Sequence, residues 1–265
     1  MSGDIKTLRA RIKSVDSTMH LTRAMGLVAS SKIRRANEKM ASSVEYASAF
    51  DGVMHALSGA QECLSSPYFA NRGERTRLIV IAGDRGLAGG YNANVLKLAR
   101  EYPDAEIIAI GKRACERYGK PFTSSEHFDF SDAMALSERL CEDYLNGEYD
   151  RLAIAATRYV SIMSQEAYVR FLLPFEKGGT KAVSMIFEPD ELSILNRTAT
   201  QYVAANLYAA VCESFASEVA ARRMAMDNAD RNAKVMIADL QLAYNRARQS
   251  AITQEITEIV AGSDA

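Results

Sequence analysis

The stretch IKTLRARIKSVDSTMHLTRAMGLVASSKIRRANEKM (5–40) decides the fold, because its apolar residues recur at alternating intervals of three and four. The pattern continues to Leu57, and fourteen of the sixteen core positions of this heptad repeat are apolar residues or glycine. Those positions are Ile5, Leu8, Ile12, Val15, Met19, Thr22, Gly26, Ala29, Ile33, Ala36, Met40, Ser43, Ala47, Phe50, Met54 and Leu57. A register held over eight heptads predicts one long helix in a left-handed coiled coil.

The other end of the chain carries a similar pattern, from about Glu191 to Val260. Its predicted seam consists of Met226, Ala229, Ala233, Met236, Leu240, Ala243 and Ala247, and an apolar stripe continues through Ile252, Ile256 and Ile259. Two such helices can pair antiparallel, and we expect the closest approach at the small residues Thr22, Gly26 and Ala29. The alternative, in which each helix packs separately on a globular core, is disfavoured because globular helices average about 11 or 12 residues.

Between the two helices lies a segment that contains all five prolines, at positions from 67 to 189. Its apolar runs predict strands at 76–83, 105–111, 151–160 and 167–175, a candidate edge strand at 184–190, and helices at 92–100, 112–118 and 131–145. This alternation indicates an α/β fold with a mostly parallel sheet. We therefore predict an N-terminal coiled-coil helix (1–66), a central α/β domain (67–190) and a C-terminal coiled-coil helix (191–265).

The composition excludes several classes of function. The 265 residues include 32 basic and 33 acidic side chains, so a net charge of −1 provides no overall positive field to recruit nucleic acid or an anionic membrane. The four cysteines, Cys63, Cys115, Cys141 and Cys212, form no CxxC pair, which favours reduced packing residues over disulfides or a zinc site. The N-terminus lacks a signal-peptide core, and no run of about 18 apolar residues occurs, which indicates a cytosolic chain with at most peripheral membrane contact.

One glycine-rich segment, GDRGLAGG (83–90), follows the first predicted strand, where α/β folds bind phosphates. It matches neither GxGxxG nor GxxxxGK[ST], and it lacks the P-loop lysine. We favour a tight turn in which glycines adopt positive φ angles and Asp84 and Arg85 bond locally. The alternative is a nucleotide-binding α/β enzyme that uses Gly83–Gly90.

No other residues have the spacing of a reactive site. His20, His55 and His127 are isolated, without a cysteine or carboxylate at metal-ligand or catalytic-triad spacing. The carboxylates are dispersed over helix faces and turns, where a solvated role is the default. We therefore assign no catalytic, cofactor-binding or metal-binding residue.

The helical ends have features that a two-stranded coil does not use. Leu21, Met25 and Val28 form an apolar stripe facing away from the seam, so another surface should cover them. Residues 1–40 contain nine basic and three acidic residues, a local balance of +6. A basic, apolar rod fits an acidic protein sleeve, and a scaffolding or nucleic-acid-binding coiled coil is the alternative.

Near the C-terminus, polar side chains able to grip a partner cluster at Arg246, Arg248, Gln249, Thr253 and Glu255.

Three segments resemble the signature regions of the gamma subunit of bacterial F-type ATP synthases. They are LTRAMGLVASSKIRRA (21–36), GDRGLAGGYN (83–92) and SEVAARRMAMDNADRNAKVMIADLQLAYNRARQSAITQEITEIVAG (217–262). Residues 112–185 match that family in pattern more than in letters. Two positions depart from it: Gly26 replaces a larger, often charged residue, and Ala88 replaces a common cysteine.

The resemblance implies a central rotor shaft that transmits torque and couples ion translocation to ATP synthesis or hydrolysis. The helical ends would turn inside a ring of three alpha and three beta subunits, and the α/β domain would contact the epsilon subunit and the membrane c ring. The chain would be a non-catalytic subunit without a cofactor or nucleic-acid partner, peripheral on the cytoplasmic side of the plasma membrane and without a transmembrane segment of its own.

The resemblance also assigns partner contacts to particular residues. Arg248, Gln249, Thr253 and Glu255 would face the beta-subunit loops that grip the shaft, and Met25 would pack near the same level. At the foot, Met185, Phe187 and Glu188 would lie near the c ring or the epsilon subunit.

Overall fold

The computed structural model of the chain describes residues 2–178 and 186–263. Its elements in chain order are α1 (Ser2–Ser58), β1 (Thr76–Ile81), α2 (Tyr91–Ala99), β2 (Glu106–Ile110), α3 (Lys112–Tyr118), α4 (Phe130–Leu145), β3 (Arg151–Tyr159), β4 (Gln165–Leu173) and α5 (Glu191–Ser263), with short 3-10 helices at Cys63–Ser65 and Pro67–Phe69. Contacts divide the chain into two compact units. We call Met1–Ala29 with Arg223–Ala265 the coiled-coil unit, and Ser30–Arg222 the sheet unit.

In the coiled-coil unit, α1 and α5 run antiparallel. Arg23 donates a hydrogen bond of 3.1 Å to Asp230, and a methyl group placed on Gly26 would lie 3.4 Å from the Met226 Cβ. The partner's number falls as the α1 number rises, which is the antiparallel order. Gly26 and Ala29 are buried, so the predicted close approach at small seam residues is confirmed.

The heptad register predicted for α1 is also confirmed. Every core position of that register from Ile5 to Leu57 is buried or half-buried. In contrast, Leu21, Leu27 and Val28 lie off the seam and are more than half exposed. Helix α1 therefore owes its length to one continuous apolar seam, since the residues beside that seam contribute little burial.

The register predicted for α5 is wrong at two positions. Met236 and Ala243, assigned to the seam, are exposed, whereas Ile237 and Tyr244 are half-buried. The seam therefore steps by four and then three residues after Ala233, instead of three and then four. Alanine and other apolar residues are so frequent in this segment that both registers look apolar, and burying Tyr244 instead of Ala243 removes more apolar surface from water.

The apolar stripe predicted at the end of α5 is exposed. Ile252, Ile256 and Ile259 are 46%, 57% and 71% exposed. With Arg23 opposite Asp230, the antiparallel register brings the start of α1 opposite about residue 250 of α5. The last turns of α5 thus run past the first described residues of α1, so the described part of α1 does not cover these isoleucines.

The sheet unit contains a four-stranded sheet in the order β2-β1-β3-β4. Strand β1 pairs in parallel with β2 and with β3, and β3 pairs antiparallel with β4, so the prediction of a mostly parallel sheet is confirmed. Only residues 160–164 separate β3 from β4, which is enough for a hairpin and too few for a parallel crossover. The candidate strand at 184–190 is not found in its described part, 186–190, and its first two residues lie outside the described residues.

Helices cover both faces of the sheet. Ile79 and Ile81 of β1 pack with buried side chains of α1, α4 and α5, whereas Leu78 and Val80 pack on the other face with α2 and α3. All four cysteines are buried, as expected of packing residues. Both long helices therefore share one apolar core with the sheet.

Candidate partner surfaces and the glycine-rich turn

The predicted grip residues lie at the end of α5 in the coiled-coil unit. Arg248, Gln249, Thr253 and Glu255 are all exposed. Because a helix turns by about 100° per residue, the three exposed isoleucines at 252, 256 and 259 lie on one side, with Arg248 and Gln249 at its edges. An apolar strip bordered by a guanidinium and an amide has the composition of a protein interface, with an apolar centre and a polar rim.

Met25 differs from its expected position in two respects. It is half-buried, whereas its stripe neighbours Leu21 and Val28 are 61% and 54% exposed. The register sets Met25 opposite about residue 228 of α5, roughly 30 Å along the helix from Arg248. The expectation that both lie at the same level is therefore wrong, because the antiparallel register separates them by about five turns of helix.

Beside Met25, charged side chains connect the two helices of the coiled-coil unit. Lys234 donates to Asp230 within α5 at 2.7 Å, and Arg23 reaches the same carboxylate from α1. The hydrogen bond from Lys234, together with the charge of Arg23, holds the pKa of Asp230 below its usual range. This cluster fixes the register in which the helices meet, because a shift of one residue would break the cross-helix bond.

The residues predicted at the foot do not share one environment. Met185 lies outside the described residues. Phe187 packs partly against the core of the sheet unit, whereas Glu188 is exposed. Its neighbour Ile186 is 88% exposed, an apolar side chain that the sequence analysis did not single out.

The Gly83–Gly90 segment is a tight turn held by its own side chains. The Asp84 carboxylate accepts hydrogen bonds from the Ser124 hydroxyl at 2.6 Å and from the amides of Lys112, Ser125 and Glu126 at 3.0 to 3.1 Å. Burial acts to raise the pKa of Asp84, but these bonds outweigh it and hold the pKa below its usual value of 3.8. The prediction that the Asp84 and Arg85 side chains bond locally is wrong, because the partners of Asp84 lie 28 to 42 residues away in sequence and Arg85 pairs with Glu126.

Backbone conformation also fits a turn. Gly89 has a φ of +56° and Leu87 a φ of +61°, which is uncommon for a residue with a side chain. Asn92 accepts a hydrogen bond from the Gly83 amide at 2.8 Å, and its own amide donates to the Arg85 carbonyl. Asn92, near the start of α2, therefore links that helix to the Gly83 and Arg85 backbone of the turn.

A buried carboxylate that the sequence analysis missed lies against this turn. Glu218 of α5 is 3% exposed, and a methyl group on Gly83 would fall 2.6 Å from its carboxyl carbon. Arg222 donates to Glu218 and, at 3.2 Å, to the Gly86 carbonyl. Burial raises the pKa of Glu218 above its usual range even though Arg222 lies beside it. The spacing of four residues between Glu218 and Arg222, in a stretch of small and apolar residues, was the available sequence signal.

These charges bear on the nucleotide-binding alternative. A phosphate site needs free amide donors and a positive field, but two carboxylates, Asp84 and Glu218, lie at this turn, and the Gly83 amide is already bonded.

Nowhere in the described ranges do three or more His, Cys, Asp or Glu side chains form a group that could hold a metal ion. Within the same ranges, no helix combines the length and apolar character needed to cross a membrane.

Comparison with known proteins identifies the family. The family model described as ATP synthase matches residues 4–265. The ATP synthase gamma chain of Ruminococcus albus is 40% identical over 280 residues, which cover 98% of each chain. The chain belongs to the gamma-subunit family of the ATP synthases. Within this gamma-subunit family, the ATP synthase gamma chain of Paracoccus denitrificans is 37% identical over 288 residues, covering 98% of this chain and 99% of the relative.

Solved structures share the fold of this gamma-family chain. The chain aligns over its whole length with 95% of a chain from the mitochondrial ATP synthase of Euglena gracilis, at a TM-score of 0.71 and 18% identity. A chain from the central stalk and c ring of the Tetrahymena thermophila mitochondrial ATP synthase gives a TM-score of 0.63 at 20% identity, covering 79% of this chain and 99% of that one. The combination of long terminal helices with a four-stranded sheet thus recurs in those assemblies.

Proposed function

We propose that this chain, a central-stalk subunit by its family, transmits torque between a membrane c ring and a catalytic ring of alpha and beta subunits. The chain itself performs no catalysis, and a beta subunit would supply the nucleotide chemistry. The observation that carries this proposal is the exposed strip of Ile252, Ile256 and Ile259, bordered by Arg248 and Gln249. Large apolar side chains exposed in a group indicate a surface that another protein covers.

The grip is proposed for the charged and amide side chains at the edges of that strip. Arg248 can make two parallel hydrogen bonds to a carboxylate on a beta-subunit loop, and Gln249 and Thr253 can bond to its carbonyl groups. Glu255 would pair with a basic group on the same ring. Met25, with Leu21 and Val28, would form a second contact with the ring, roughly 30 Å away along the helix pair.

For the sheet unit, we propose that Phe187, Glu188 and Met185 contribute to contacts with the c ring or the epsilon subunit. Support comes from Ile186 and Glu188, which are exposed beside the partly buried Phe187. Such an arrangement presents an apolar and a charged side chain from a segment anchored in the core. The complex would act on the cytoplasmic side of the plasma membrane.

The test compares Arg248→Ala with Arg246→Ala in the assembled complex. Arg246 is also exposed, but it projects from nearly the opposite side of α5. We expect Arg248→Ala to lower ATP hydrolysis by the assembled alpha, beta and gamma complex by roughly tenfold or more, because a charge-assisted bond contributes about 1.5–3 kcal/mol. Both variants should change the stability of the isolated chain by no more than about 0.5 kcal/mol, as exposed helix positions usually do.

Two results would contradict the proposal. Equal hydrolysis by the Arg248→Ala and Arg246→Ala complexes would remove Arg248 from the grip. Sustained ATP turnover by the purified single chain, after ring subunits have been removed, would show that the chain is itself an enzyme.

A further inference from the structure

The Gly83–Gly90 turn is connected to α5 by buried polar contacts within the sheet unit. Arg222 donates two hydrogen bonds to the Gly86 carbonyl, at 3.3 and 3.2 Å, and a third to Glu218. The Arg222 and Glu218 side chains are only 12% and 3% exposed. A Cβ at position 83 would lie 2.6 Å from the Glu218 carboxyl carbon, so any residue other than glycine there would displace this carboxylate.

The same turn is connected to α1 through a second loop. Asp84 holds the amides of Ser125 and Glu126 at 3.1 Å. This places the Glu126 carboxylate between Lys32 of α1, with which it forms an ion pair, and Arg85 of the turn, at 3.3 Å. Both cations act against burial to hold the pKa of Glu126 below its usual range.

The connections lie where the two long helices leave the sheet unit. That unit extends from Ser30 to Arg222, so Lys32 and Arg222 are at or near its ends in both helices. The turn follows β1 directly and is bonded to the start of α3, since Arg113 donates its amide to the Gly83 carbonyl at 3.1 Å and the Lys112 amide donates to Asp84. Helix α5 is thus bonded to the turn directly, and α1 is linked to it through Glu126, in both cases close to the residue where the helix passes into the coiled-coil unit.

Stability alone does not account for a buried ion pair at this place. Replacing such a pair with well-packed apolar residues is often neutral or stabilising, because charges are costly to remove from water. Apolar contacts, however, are non-directional, so they define the rotation of a helix less sharply than hydrogen bonds do. Hydrogen bonds depend steeply on angle and distance, so they resist rotation of a helix about its axis.

We propose that the Gly83–Gly90 turn is a torsional clamp, in which Lys32–Glu126 and Arg222–Gly86 hold α1 and α5 at a fixed rotation relative to the sheet. The proposal rests on the proposed function, because it matters only for a subunit that carries torque. Lys32, Glu126, Glu218 and Arg222 act as positioning residues and contact no substrate. Loss of the clamp lets the helices rotate against the sheet under load, so ATP hydrolysis continues while ion pumping per ATP falls.

The test uses the whole ATP synthase in membrane vesicles, with Lys32→Met and Arg222→Met in this chain. Arg151→Met is the matched control, because Arg151 pairs with Glu74 at 3.3 Å and is 32% exposed, against 35% for Lys32. We measure ATP hydrolysis and ATP-driven ion pumping in the same vesicles. Hydrogen exchange at the Ser125 and Glu126 amides reports whether the loop has loosened.

For Lys32→Met and Arg222→Met we expect pumping per ATP to fall by about threefold, a change of the size that one partly exposed ion pair can produce. Hydrolysis should change by less, amide exchange in the loop should accelerate, and Arg151→Met should match wild type. Lys32→Arg keeps the cation and should restore the ratio. If Arg222→Met does not assemble, Lys32→Met alone decides the outcome, since its side chain is partly exposed.

Three outcomes overturn the clamp. They are a pumping ratio for Lys32→Met equal to that of Arg151→Met, no recovery with Lys32→Arg, or hydrolysis and pumping falling together in proportion to a lower melting temperature. If the wild-type chain restores neither hydrolysis nor pumping in any reconstituted complex, the proposed function is wrong, and the clamp is wrong with it.

Discussion

Two glycines at the ends of α3 allow a direct measurement of how closely the strands and the glycine-rich turn are packed. Gly111 precedes α3 with a φ of +91°, and Gly119 follows it with a φ of +62°. A Cβ on Gly111 would lie 1.8 Å from the Ala82 carbonyl oxygen, well inside contact distance, whereas a Cβ on Gly119 would meet nothing within 4 Å. Both positions therefore impose the cost of a left-handed backbone, but only Gly111→Ala also produces a collision.

The magnitude follows from the bonds at each position. The left-handed conformation costs a residue with a side chain about 1–2 kcal/mol, which is the whole effect expected of Gly119→Ala. Gly111→Ala must also push the backbone away from Ala82, whose amide donates to the Ile110 carbonyl at 2.9 Å, and from Thr123, whose carbonyl accepts from the Gly111 amide at 2.7 Å. Losing both bonds at about 1 kcal/mol each gives a total near 3–4 kcal/mol.

Urea unfolding of the full-length chain measures the difference. The chain has no tryptophan and 12 tyrosines, so tyrosine fluorescence follows the transition. We expect Gly111→Ala to lower the free energy of unfolding by about 2 kcal/mol more than Gly119→Ala. A difference below about 0.5 kcal/mol would show that the strand end and the turn yield to a methyl group, and that close packing at Ala82 is not a constraint.

Three further predictions concern the long helices and the turn. Gly52→Ala should raise the free energy of unfolding by about 0.5–1 kcal/mol, measured by urea unfolding, because Gly52 lies within α1 and a Cβ there meets nothing within 4 Å; a destabilised variant would contradict this. Because the pKa of Asp84 is lowered in the folded chain, its contribution to stability is present above about pH 4 and is lost as the pH falls further. Asp84→Asn should therefore flatten the acid side of the pH–stability curve. An unchanged curve would exclude that contribution. Met25→Lys should reduce ATP-driven ion pumping relative to hydrolysis in membrane vesicles, because a new ammonium beneath a covering subunit must lose water or find a carboxylate; an unchanged ratio with normal assembly would place Met25 outside the interface.

The α1 register was predictable because the three-and-four spacing of its seam continues from Ile5 to Leu57, with only Thr22 and Ser43 polar. In α5 the same reasoning chose Met236 and Ala243, because alanines on several sides leave the pattern ambiguous and only packing resolves it. The antiparallel direction of β4 was accessible from the short connection after β3, which excludes a crossover.

The site was harder to predict than the fold. Sequence reasoning assigns a carboxylate on a helix to solvent by default, and this default failed for Glu218, which is buried against Gly83. The contact with Gly83 joins residues far apart in sequence, and the local signal was limited to the four-residue spacing between Glu218 and Arg222. In contrast, the exposed position of Arg248 and Gln249 follows from helix periodicity alone, and what binds them depends on another chain.

The last turns of α5 extend beyond the start of α1, and this determines what stabilises their helical conformation. From Ile252 onward the described side chains of α5 are exposed, so adding or losing a residue at this helix end changes little apolar burial. The number of helical turns that form at this end of α5 then depends on the protein surface that encloses it. Amide exchange in these last turns should therefore slow when the ring closes around them, which makes the tip an internal gauge of assembly.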